Sequence, residues 1–197
     1  LNGQAAEITG AEARHIRTVL RMQPGERLEL IDGSGYAYES IIQSVGEDQI
    51  SVEILGRYPS AAESPLKLSI ALGFLKDKKM DLLVRHLTEL GITRFVPMWT
   101  ARAVARPPEK RIASRMERWQ SIAKEAVKQS RRGRAPEIAR PLAFNDVLEL
   151  GSQSDKRLIF WEQADAALLP EAAAQPNVSS VFILLGPEGG FTEKEAR

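Results

Sequence analysis

The spacing of apolar residues changes at Pro65, and this change sets the expected fold class. Before Pro65, three short alternating segments follow one another closely: Arg27–Ile31, Tyr36–Val45 and residues 50–55. Short, closely spaced strands are typical of a small β-barrel or sandwich. After Pro65, apolar segments at strand spacing alternate with segments at helix spacing, as in a parallel sheet covered by helices. We therefore expect an α/β protein with a small N-terminal β domain.

The N-terminal part also contains one predicted helix. Residues 12–22 place Ala13, Ile16, Val19 and Leu20 on one face and arginines on the other, and Pro24-Gly25 ends the helix. Residues 58–65 hold two prolines, two alanines and two serines, which is typical of a linker. We expect domains at residues 1–57 and 66–197, joined by residues 58–65.

The C-terminal part is predicted to alternate strands and helices. Its last predicted strand, residues 181–185, is continuously apolar, as expected where both faces of a parallel sheet are covered. Gly91 stands where a left-handed residue would end the preceding helix. The predicted elements are a strand at 66–72, a helix over Met80 to Leu90, a strand at 92–98, a basic helix at about 110–132, a strand at 157–161, an alanine-rich helix around 164–174 and the strand at 181–185.

Composition excludes several classes of protein. The chain has no cysteine, which excludes disulfide scaffolds, thiolate metal sites and cysteine nucleophiles. His15 and His86 lack the spacing of a metal-binding pair, so we expect no metal. Neither a signal peptide nor an apolar run of roughly 18 residues is present, so we expect a cytoplasmic protein without a membrane partner. The chain begins at Leu1 and stops at Arg197 within a predicted helix, and we expect it to be incomplete at both ends.

Positive charge is concentrated in about one sixth of the chain. The formal net charge is only +1, but residues 102–134 contain eleven basic and three acidic residues and carry +8, so the remainder carries −7. Such a run is often a solvated helix face. Here it has few acidic partners and extends into the loops at both ends of the helix, which favours binding of nucleic acid or another phosphate ligand.

A glycine-rich segment lies between the last apolar strand and the C-terminal helix. Residues 186–191 read Gly-Pro-Glu-Gly-Gly-Phe, and Thr192 with Glu195 has the spacing of a capping box. We call residues 186–191 the glycine loop. Ligands of α/β sheets bind beyond the carboxyl ends of strands, where glycines allow close approach of the backbone. The loop lacks the signatures of a P-loop or a dinucleotide fingerprint. A cofactor loop and a plain strand-to-helix connection are both compatible with this local pattern.

Taken together, these residues resemble the bacterial 16S ribosomal RNA (uracil-N3) methyltransferases of the RsmE type, which belong to the SPOUT class. The resemblance covers the whole chain, and the order and spacing of its motifs are more specific than any one of them. The matching residues are Val19-Leu20-Arg21, Pro24-Gly25, Asp32-Gly33, Lys79-Met80, Glu89-Leu90-Gly91, Pro97, Arg102, Trp119, Ala126, Gln129, Arg132, Pro136-Glu137-Ile138 and the glycine loop.

The resemblance implies a PUA-like β-barrel for RNA, a mostly parallel α/β SPOUT domain with a trefoil knot, S-adenosylmethionine as methyl donor, and a homodimer. The expected partner is small-subunit ribosomal RNA within an assembled 30S particle. The predicted cofactor-binding residues are Trp161, Glu162, Leu185, Gly186, Pro187, Glu188, Gly189, Gly190 and Phe191. The predicted RNA-binding residues are Arg17, Arg21, Lys76, Lys79, Arg102, Arg106, Gln129, Arg131, Arg132 and Arg134.

Methylation at N3 of uracil requires loss of the N3 proton, so positive charge near the uracil carbonyls should assist it. Arg102 is the first candidate for this catalytic role and Arg132 the second. The chain departs from the family at Ala101, where a glutamate is usual, and at residues 128–132, which gain charge and lack a glycine. The family's second cofactor loop would follow Arg197. A sister SPOUT methyltransferase with another RNA target, or a non-catalytic RNA-binding protein, remains an alternative.

Overall fold

The computed structural model describes residues 4–76, 79–104, 106–164 and 177–197 of the 197-residue chain. The chain divides into two compact units, Leu1–Glu63 and Ser64–Arg197. The first is built on an antiparallel sheet and the second on a parallel sheet with helices, so the predicted α/β class is confirmed. Residues 58 and 59 belong to the last strand of the first unit rather than to the predicted linker.

The first unit is a four-stranded antiparallel sheet with a short helix packed on its apolar face. The strand order is β1-β4-β3-β2. The bounds of β2 and β3 agree with the prediction, whereas β1 was missed because its few apolar residues alternate weakly. The elements are β1 (Gln4–Thr9), α1 (Gly10–His15), a π-helical turn (Ile16–Leu20), β2 (Arg27–Ile31), β3 (Tyr36–Val45) and β4 (Gln49–Pro59).

The predicted single helix at residues 12–22 is wrong in its second half. Ala13 and Ile16 are buried against the sheet as expected, but Val19 is 64% exposed and Leu20 is 55% exposed. The reason is the π-helical turn, which has more residues per turn than an α-helix and so rotates later side chains off the buried face. Arg21 ends the turn in the left-handed conformation, with φ 54°.

The second unit contains a parallel sheet of order β7-β6-β5-β10-β9, and β8 also pairs with β6. The prediction missed β7, β8 and α4, and the predicted helix at 164–174 lies outside the described residues beyond Ala164. The elements are β5 (Lys67–Gly73), α2 (Lys79–Glu89), β6 (Arg94–Trp99), α3 (Ile112–Ser130), β7 (Glu137–Ile138), β8 (Leu142–Ala143), α4 (Phe144–Gly151), β9 (Lys156–Phe160), β10 (Ser180–Leu185) and α5 (Glu193–Ala196).

Helices cover both faces of this sheet. On one face α2 and α3 pack through a cluster that includes Phe74, Phe95 and Trp119, and on the other face α4 packs through Val147. Successive residues of β10 contribute to alternate clusters: Phe182 and Leu184 face α4, whereas Ile183 and Leu185 face α2 and α3. The prediction that β10 is covered on both faces is confirmed.

The middle of the sheet is a topological switch point. β5 pairs with β6 on one side and with β10 on the other, and all three strands run parallel. The segment after β5 leads to α2, which packs on one face of the sheet, whereas Phe191 and Ala196 after β10 pack in the cluster on the other face. Loops that diverge in this way open a crevice, which is the usual ligand site in such sheets.

Candidate functional site

The glycine loop follows β10 directly and rests on the carboxyl end of β5. Gly73, the last residue of β5, lies so close to the loop that a Cβ there would stand 2.6 Å from Cδ of Pro187. Gly190 has φ +66°, and a Cβ on it would stand 2.6 Å from Oε1 of Glu162, just after β9. The loop thus occupies the switch point, with glycine required where its neighbours approach most closely.

The start of α5 fixes the far end of the loop. Thr192 and Glu195 form the predicted capping box, in which the Thr192 hydroxyl accepts a hydrogen bond from the Glu195 backbone N–H. The Glu195 carboxylate also accepts one from the backbone N–H of Ala101, at 2.8 Å. Partial burial raises the pKa of Glu195, but the hydrogen bonds from Ala101 and Thr192 outweigh it and leave the pKa below its ordinary value. The segment after β6 is therefore tied to the end of the glycine loop.

Arg102 holds the loop from the other side. Its Nη1 donates hydrogen bonds to the carbonyl oxygens of Gly189 and Phe191, each at 3.1 Å, and lies 4.0 Å from Oε1 of Glu162. Its side chain is about half exposed. Within the described part of the chain, Nε and Nη2 of Arg102 have no hydrogen-bond partner, so two of its donor atoms are available to a ligand.

A second cation reaches the loop from α2. Nζ of Lys79 donates to Oε1 of Glu188 at 2.9 Å, and the backbone N–H of Lys76 donates to the same oxygen. The hydrogen bond from Lys79 is the main reason that the pKa of Glu188 lies below its ordinary value. The structure therefore places Lys79 in an ion pair that joins the loops after β5 and β10, whereas the sequence predicted a contact with RNA.

Arg132 lies in the interior, which does not fit its predicted contacts with substrate. The residue is 2% exposed, and Nη1 donates to the carbonyl oxygens of Thr88 at 2.8 Å and Ile92 at 3.1 Å. These carbonyls belong to the last turn of α2 and the segment after it, where helix carbonyls lack intrahelical partners. The contacts favour a structural role for Arg132, which joins the end of α3 to the end of α2.

The other predicted RNA-binding residues are at the surface or near it. Among the residues around α3, Arg106, Gln129 and Arg134 are exposed, and Arg131 ends α3 in the left-handed conformation. In the first unit Arg21 is exposed and Arg17 is half-buried. Part of the positive charge of α3 is paired, since Arg118 bonds Asp81 and Lys128 bonds Glu125.

Two buried hydrogen-bonding groups lie on residues that follow strands of the sheet: Trp161, which the sequence predicted to bind the cofactor, and Thr100, which it did not predict. Nε1 of Trp161 and Oγ1 of Thr100 are buried and have no hydrogen-bond partner in the described ranges. Trp161 follows β9 and packs in the same cluster as Phe191, and Thr100 follows β6. Buried polar groups are rarely left unpaired. These two groups and the glycine loop therefore fit a polar ligand at this edge of the sheet.

Neither a membrane helix nor a metal cluster is found in the ranges that the structure covers. No helix there is long and apolar enough to span a bilayer. No group of three or more histidine, aspartate or glutamate side chains is placed to hold a metal ion.

Both units match known families. Residues 62–197 match the family described as "RNA methyltransferase domain", and residues 8–55 match "RNA methyltransferase PUA domain". The second match agrees with the predicted PUA-like unit.

Curated relatives extend over nearly the whole chain. The protein named "Ribosomal RNA small subunit methyltransferase E" of Bacillus subtilis is 33% identical over 95% of this chain and 75% of its own length. The Mycobacterium tuberculosis protein of the same name is 29% identical over 98% of this chain and 74% of its own length. A third, from Synechocystis, is 29% identical, and this chain spans only 61% of its length.

Solved structures show the same fold with a cofactor bound. A ribosomal RNA small subunit methyltransferase E from Neisseria gonorrhoeae bound to S-adenosyl methionine superposes with a TM-score of 0.79 at 28% identity, over 100% of this chain and 79% of that one. A putative methyltransferase from Legionella pneumophila in complex with the same cofactor gives a TM-score of 0.80 at 28% identity, with the same coverage.

Proposed function

We propose, because this chain belongs to the ribosomal RNA small subunit methyltransferase E family, that it transfers a methyl group from S-adenosylmethionine to N3 of a uridine in small-subunit ribosomal RNA. Family membership supports the cofactor and the RNA class. The N3 position rests on the resemblance of the motifs. The observation that carries the proposal is the glycine loop, which lies at the switch point of the parallel sheet and is held by Arg102.

The residues at the switch point fit the cofactor. The backbone groups of the glycine loop would hold the polar and adenine parts of the cofactor. They would be joined by Trp161, Glu162 and Leu185, at the ends of neighbouring strands. The unpaired Nε1 of Trp161 is a donor in need of an acceptor. When bound, S-adenosylmethionine would supply a methyl group on a positively charged sulfur, so that attack of a nucleophilic nitrogen on the methyl carbon breaks the carbon–sulfur bond and releases a neutral thioether.

Arg102 has the geometry for a catalytic role. When the N3 proton leaves, negative charge develops on the uracil carbonyl oxygens, and a fixed cation beside them lowers the barrier. The two hydrogen bonds from Nη1 to the loop hold the guanidinium in place, and Nε and Nη2 would be available to donate to a substrate oxygen. The proposal does not include Arg132, because it is buried with Nη1 on backbone carbonyls.

The remaining parts of the proposal concern partners. We include a homodimer, an assembled 30S particle as the form of the substrate, and a cytoplasmic location, where ribosomes are built. The trefoil knot also stays a prediction. The exposed basic residues around α3 would neutralise RNA phosphates, because each phosphate contact from Arg or Lys releases counterions.

The cofactor assignment is tested by Gly189→Val. A Cβ at Gly189 would stand 3.2 Å from both Cβ and the carbonyl oxygen of Arg102, so a valine displaces the loop from Arg102. We expect calorimetry to show at least a tenfold loss of affinity for S-adenosylmethionine, with little change in the midpoint of urea unfolding. The matched control is Gly56→Ala, since a Cβ at Gly56 meets nothing within 4 Å. Unchanged affinity in Gly189→Val would remove the loop from the cofactor site.

The reaction is tested by mapping modified nucleosides. Mass spectrometry of small-subunit ribosomal RNA from cells with and without the gene should show loss of one N3-methyluridine. In vitro, Arg102→Ala should lower the rate of methyl transfer by roughly 100-fold, the usual effect of losing one charge-stabilising donor. Arg140→Ala removes an exposed arginine paired with Glu109 and should leave the rate of methyl transfer unchanged. Loss of a different modified nucleotide would favour a sister enzyme, and loss of none would favour an RNA-binding protein without activity.

A further inference from the structure

Two turns at the carboxyl end of the parallel sheet each present a charged side chain. The turn at residues 100–103 follows β6, is closed by a backbone hydrogen bond between its first and last residues, and presents Arg102. The turn at residues 161–164 follows β9, is closed in the same way, and presents Glu162. Strands β5 and β10 separate β6 from β9 in the sheet. The two side chains nevertheless meet, with Nη1 of Arg102 4.0 Å from Oε1 of Glu162.

Both side chains contact the same part of the glycine loop. Arg102 donates to the carbonyl oxygens of Gly189 and Phe191. A Cβ on the residue between them, Gly190, would stand 2.6 Å from Oε1 and 2.7 Å from Oε2 of Glu162. The guanidinium and the carboxylate therefore lie against three successive residues of the loop that is proposed to hold the cofactor.

The carboxylate of Glu162 has unused acceptor capacity. Within the residues that the structure describes, it accepts no hydrogen bond, and its contact with Arg102 is longer than a hydrogen bond. The side chain is 54% exposed, so a ligand at the carboxyl end of the sheet can reach it.

Two neighbouring carboxylates are already engaged. Glu188 accepts a hydrogen bond from Nζ of Lys79, and Glu195 accepts one from the backbone N–H of Ala101. Either of them would have to give up these contacts in order to take up a proton. Glu162 can take one up without losing a hydrogen bond to the described part of the chain.

Methylation at N3 of uracil needs an acceptor for the N3 proton. N3 lies between the two carbonyl groups of the base, so an acceptor for its proton and a donor to a carbonyl oxygen must stand side by side. A carboxylate next to a guanidinium offers this arrangement. A positioned general base typically contributes about 10²–10⁴-fold to the rate of such a step.

We propose that Glu162 is the general base that removes the N3 proton. The N3–H bond breaks, the proton passes to a carboxylate oxygen of Glu162, and the electron pair stays on the nitrogen. That pair forms the bond to the methyl carbon while the carbon–sulfur bond breaks toward sulfur. Arg102 stabilises the negative charge on the adjacent carbonyl oxygen, and Glu162 later releases the proton to water. This inference rests on the proposed function and adds the residue that accepts the proton.

The alternative role for the same carboxylate is to hold a hydroxyl or ammonium group of the cofactor. The contact with Arg102 favours the base, because the cation that would stabilise the uracil anion lies beside it. N3 must also touch the methyl carbon, so its base necessarily lies next to the cofactor. The two roles differ in a measurable way: loss of a cofactor contact lowers affinity, whereas loss of the base lowers the rate at saturating cofactor.

The test variant is Glu162→Gln, because an amide keeps the size of the side chain but cannot take up the proton. Glu162→Asp keeps the carboxylate on a shorter side chain. The control is Glu149→Gln, which changes an exposed carboxylate of α4. Single-turnover methyl transfer at saturating S-adenosylmethionine is measured from about pH 6 to about pH 9 on 30S particles from cells without the gene. Calorimetry measures the affinity for S-adenosylmethionine.

We expect Glu162→Gln to lower the rate roughly 100-fold at about pH 7 and to leave the affinity for S-adenosylmethionine unchanged. Carboxylates are ordinarily ionised above about pH 5, so the parent rate should be nearly independent of pH over the measured range. Without the base, the N3 proton must be lost to water, so the rate of Glu162→Gln should rise about tenfold per pH unit. Glu162→Asp should recover part of the rate with the flat parent profile, and Glu149→Gln should match the parent.

The inference is overturned if Glu162→Gln keeps the parent rate, or if its deficit is the same at every pH. It is also overturned if the variant loses affinity for S-adenosylmethionine in proportion to its loss of rate, since Glu162 would then hold the cofactor. The parent chain separates this inference from the proposed function. A parent without methyl transfer contradicts both, whereas an active parent with an unimpaired Glu162→Gln variant contradicts the inference alone.

Discussion

Arg132 differs from the other arginines near α3 because its guanidinium is inside the protein. Arg132→Met removes the two hydrogen bonds that Nη1 donates to the buried carbonyl oxygens of Thr88 and Ile92, which should lower the free energy of unfolding by about 3 kcal/mol. Urea unfolding measures the loss. In Arg140→Met, which breaks only an exposed pair with Glu109, the loss should be below about 1 kcal/mol. A stable Arg132→Met variant with weakened RNA binding would instead support the contact predicted from sequence.

Residue roles could be predicted where the determinant is local. Gly91 adopts the expected left-handed conformation, with φ +97°, and Thr192 and Glu195 cap α5 as their spacing predicts. The ion pair of Lys79 with Glu188 spans 109 positions of the sequence, and the contact of Arg132 with Thr88 spans 44. Such pairs depend on the packing of whole elements, and no local pattern indicates them.

At the scale of elements, Asp155 fastens the start of β9 to the start of β10. Oδ2 of Asp155 accepts hydrogen bonds from the backbone N–H and the hydroxyl of both Ser179 and Ser180, at 2.7 to 2.9 Å. The hydrogen bonds from Ser179 are the largest cause of its low pKa, which falls from 3.8 to about 2. The ionised carboxylate therefore holds together two strands whose carboxyl ends flank the proposed cofactor site.

The low pKa of Asp155 predicts a pH dependence of stability. Because the folded-state pKa lies below the unfolded value, its contribution is fully present above about pH 4 and is lost as the pH falls toward 2. Asp155→Asn should lower the midpoint of urea unfolding of the second unit at pH 7, and the difference from the parent chain should shrink between pH 4 and pH 2. A constant difference over that range would contradict the assignment. Asp32 also has a pKa of about 2. It lies in the first unit and is present in both proteins, so its contribution cancels in the difference between them.

Elements with strong periodicity could be predicted, and short ones could not. β2 and β3 have the predicted bounds, and α3 with its preceding turn covers most of the predicted basic helix. β7 and β8 contain only two residues each, too few for any period to show, and exist because they pair with β6. The π-helical turn was missed for a similar reason, since its sequence fits an α-helix equally well.

At the scale of the whole molecule, the two compact units predict separable binding functions. Residues 64–197 contain the glycine loop, Arg102 and the strands that flank them, so this unit alone should bind S-adenosylmethionine with the affinity of the whole chain. Its affinity for RNA should be lower, because the predicted RNA-binding residues Arg17 and Arg21 lie in residues 1–63. Calorimetry and fluorescence anisotropy on the isolated unit check both expectations. Loss of cofactor binding by a folded unit would show that residues 1–63 contribute to the cofactor site.

The central place of β10 in the parallel sheet has a consequence for synthesis of the protein. β10 is the last strand of the described chain, but it lies between β5 and β9 and pairs with both. Until residues 180–185 leave the ribosome, β5 and β9 each present an open edge toward the gap that β10 will fill. Parallel sheets form slowly, and a strand edge that stays unpaired in the meantime is prone to pair with other chains. The nascent second unit therefore cannot close its sheet until β10 has been synthesised, and it is most vulnerable to aggregation just before β10 emerges.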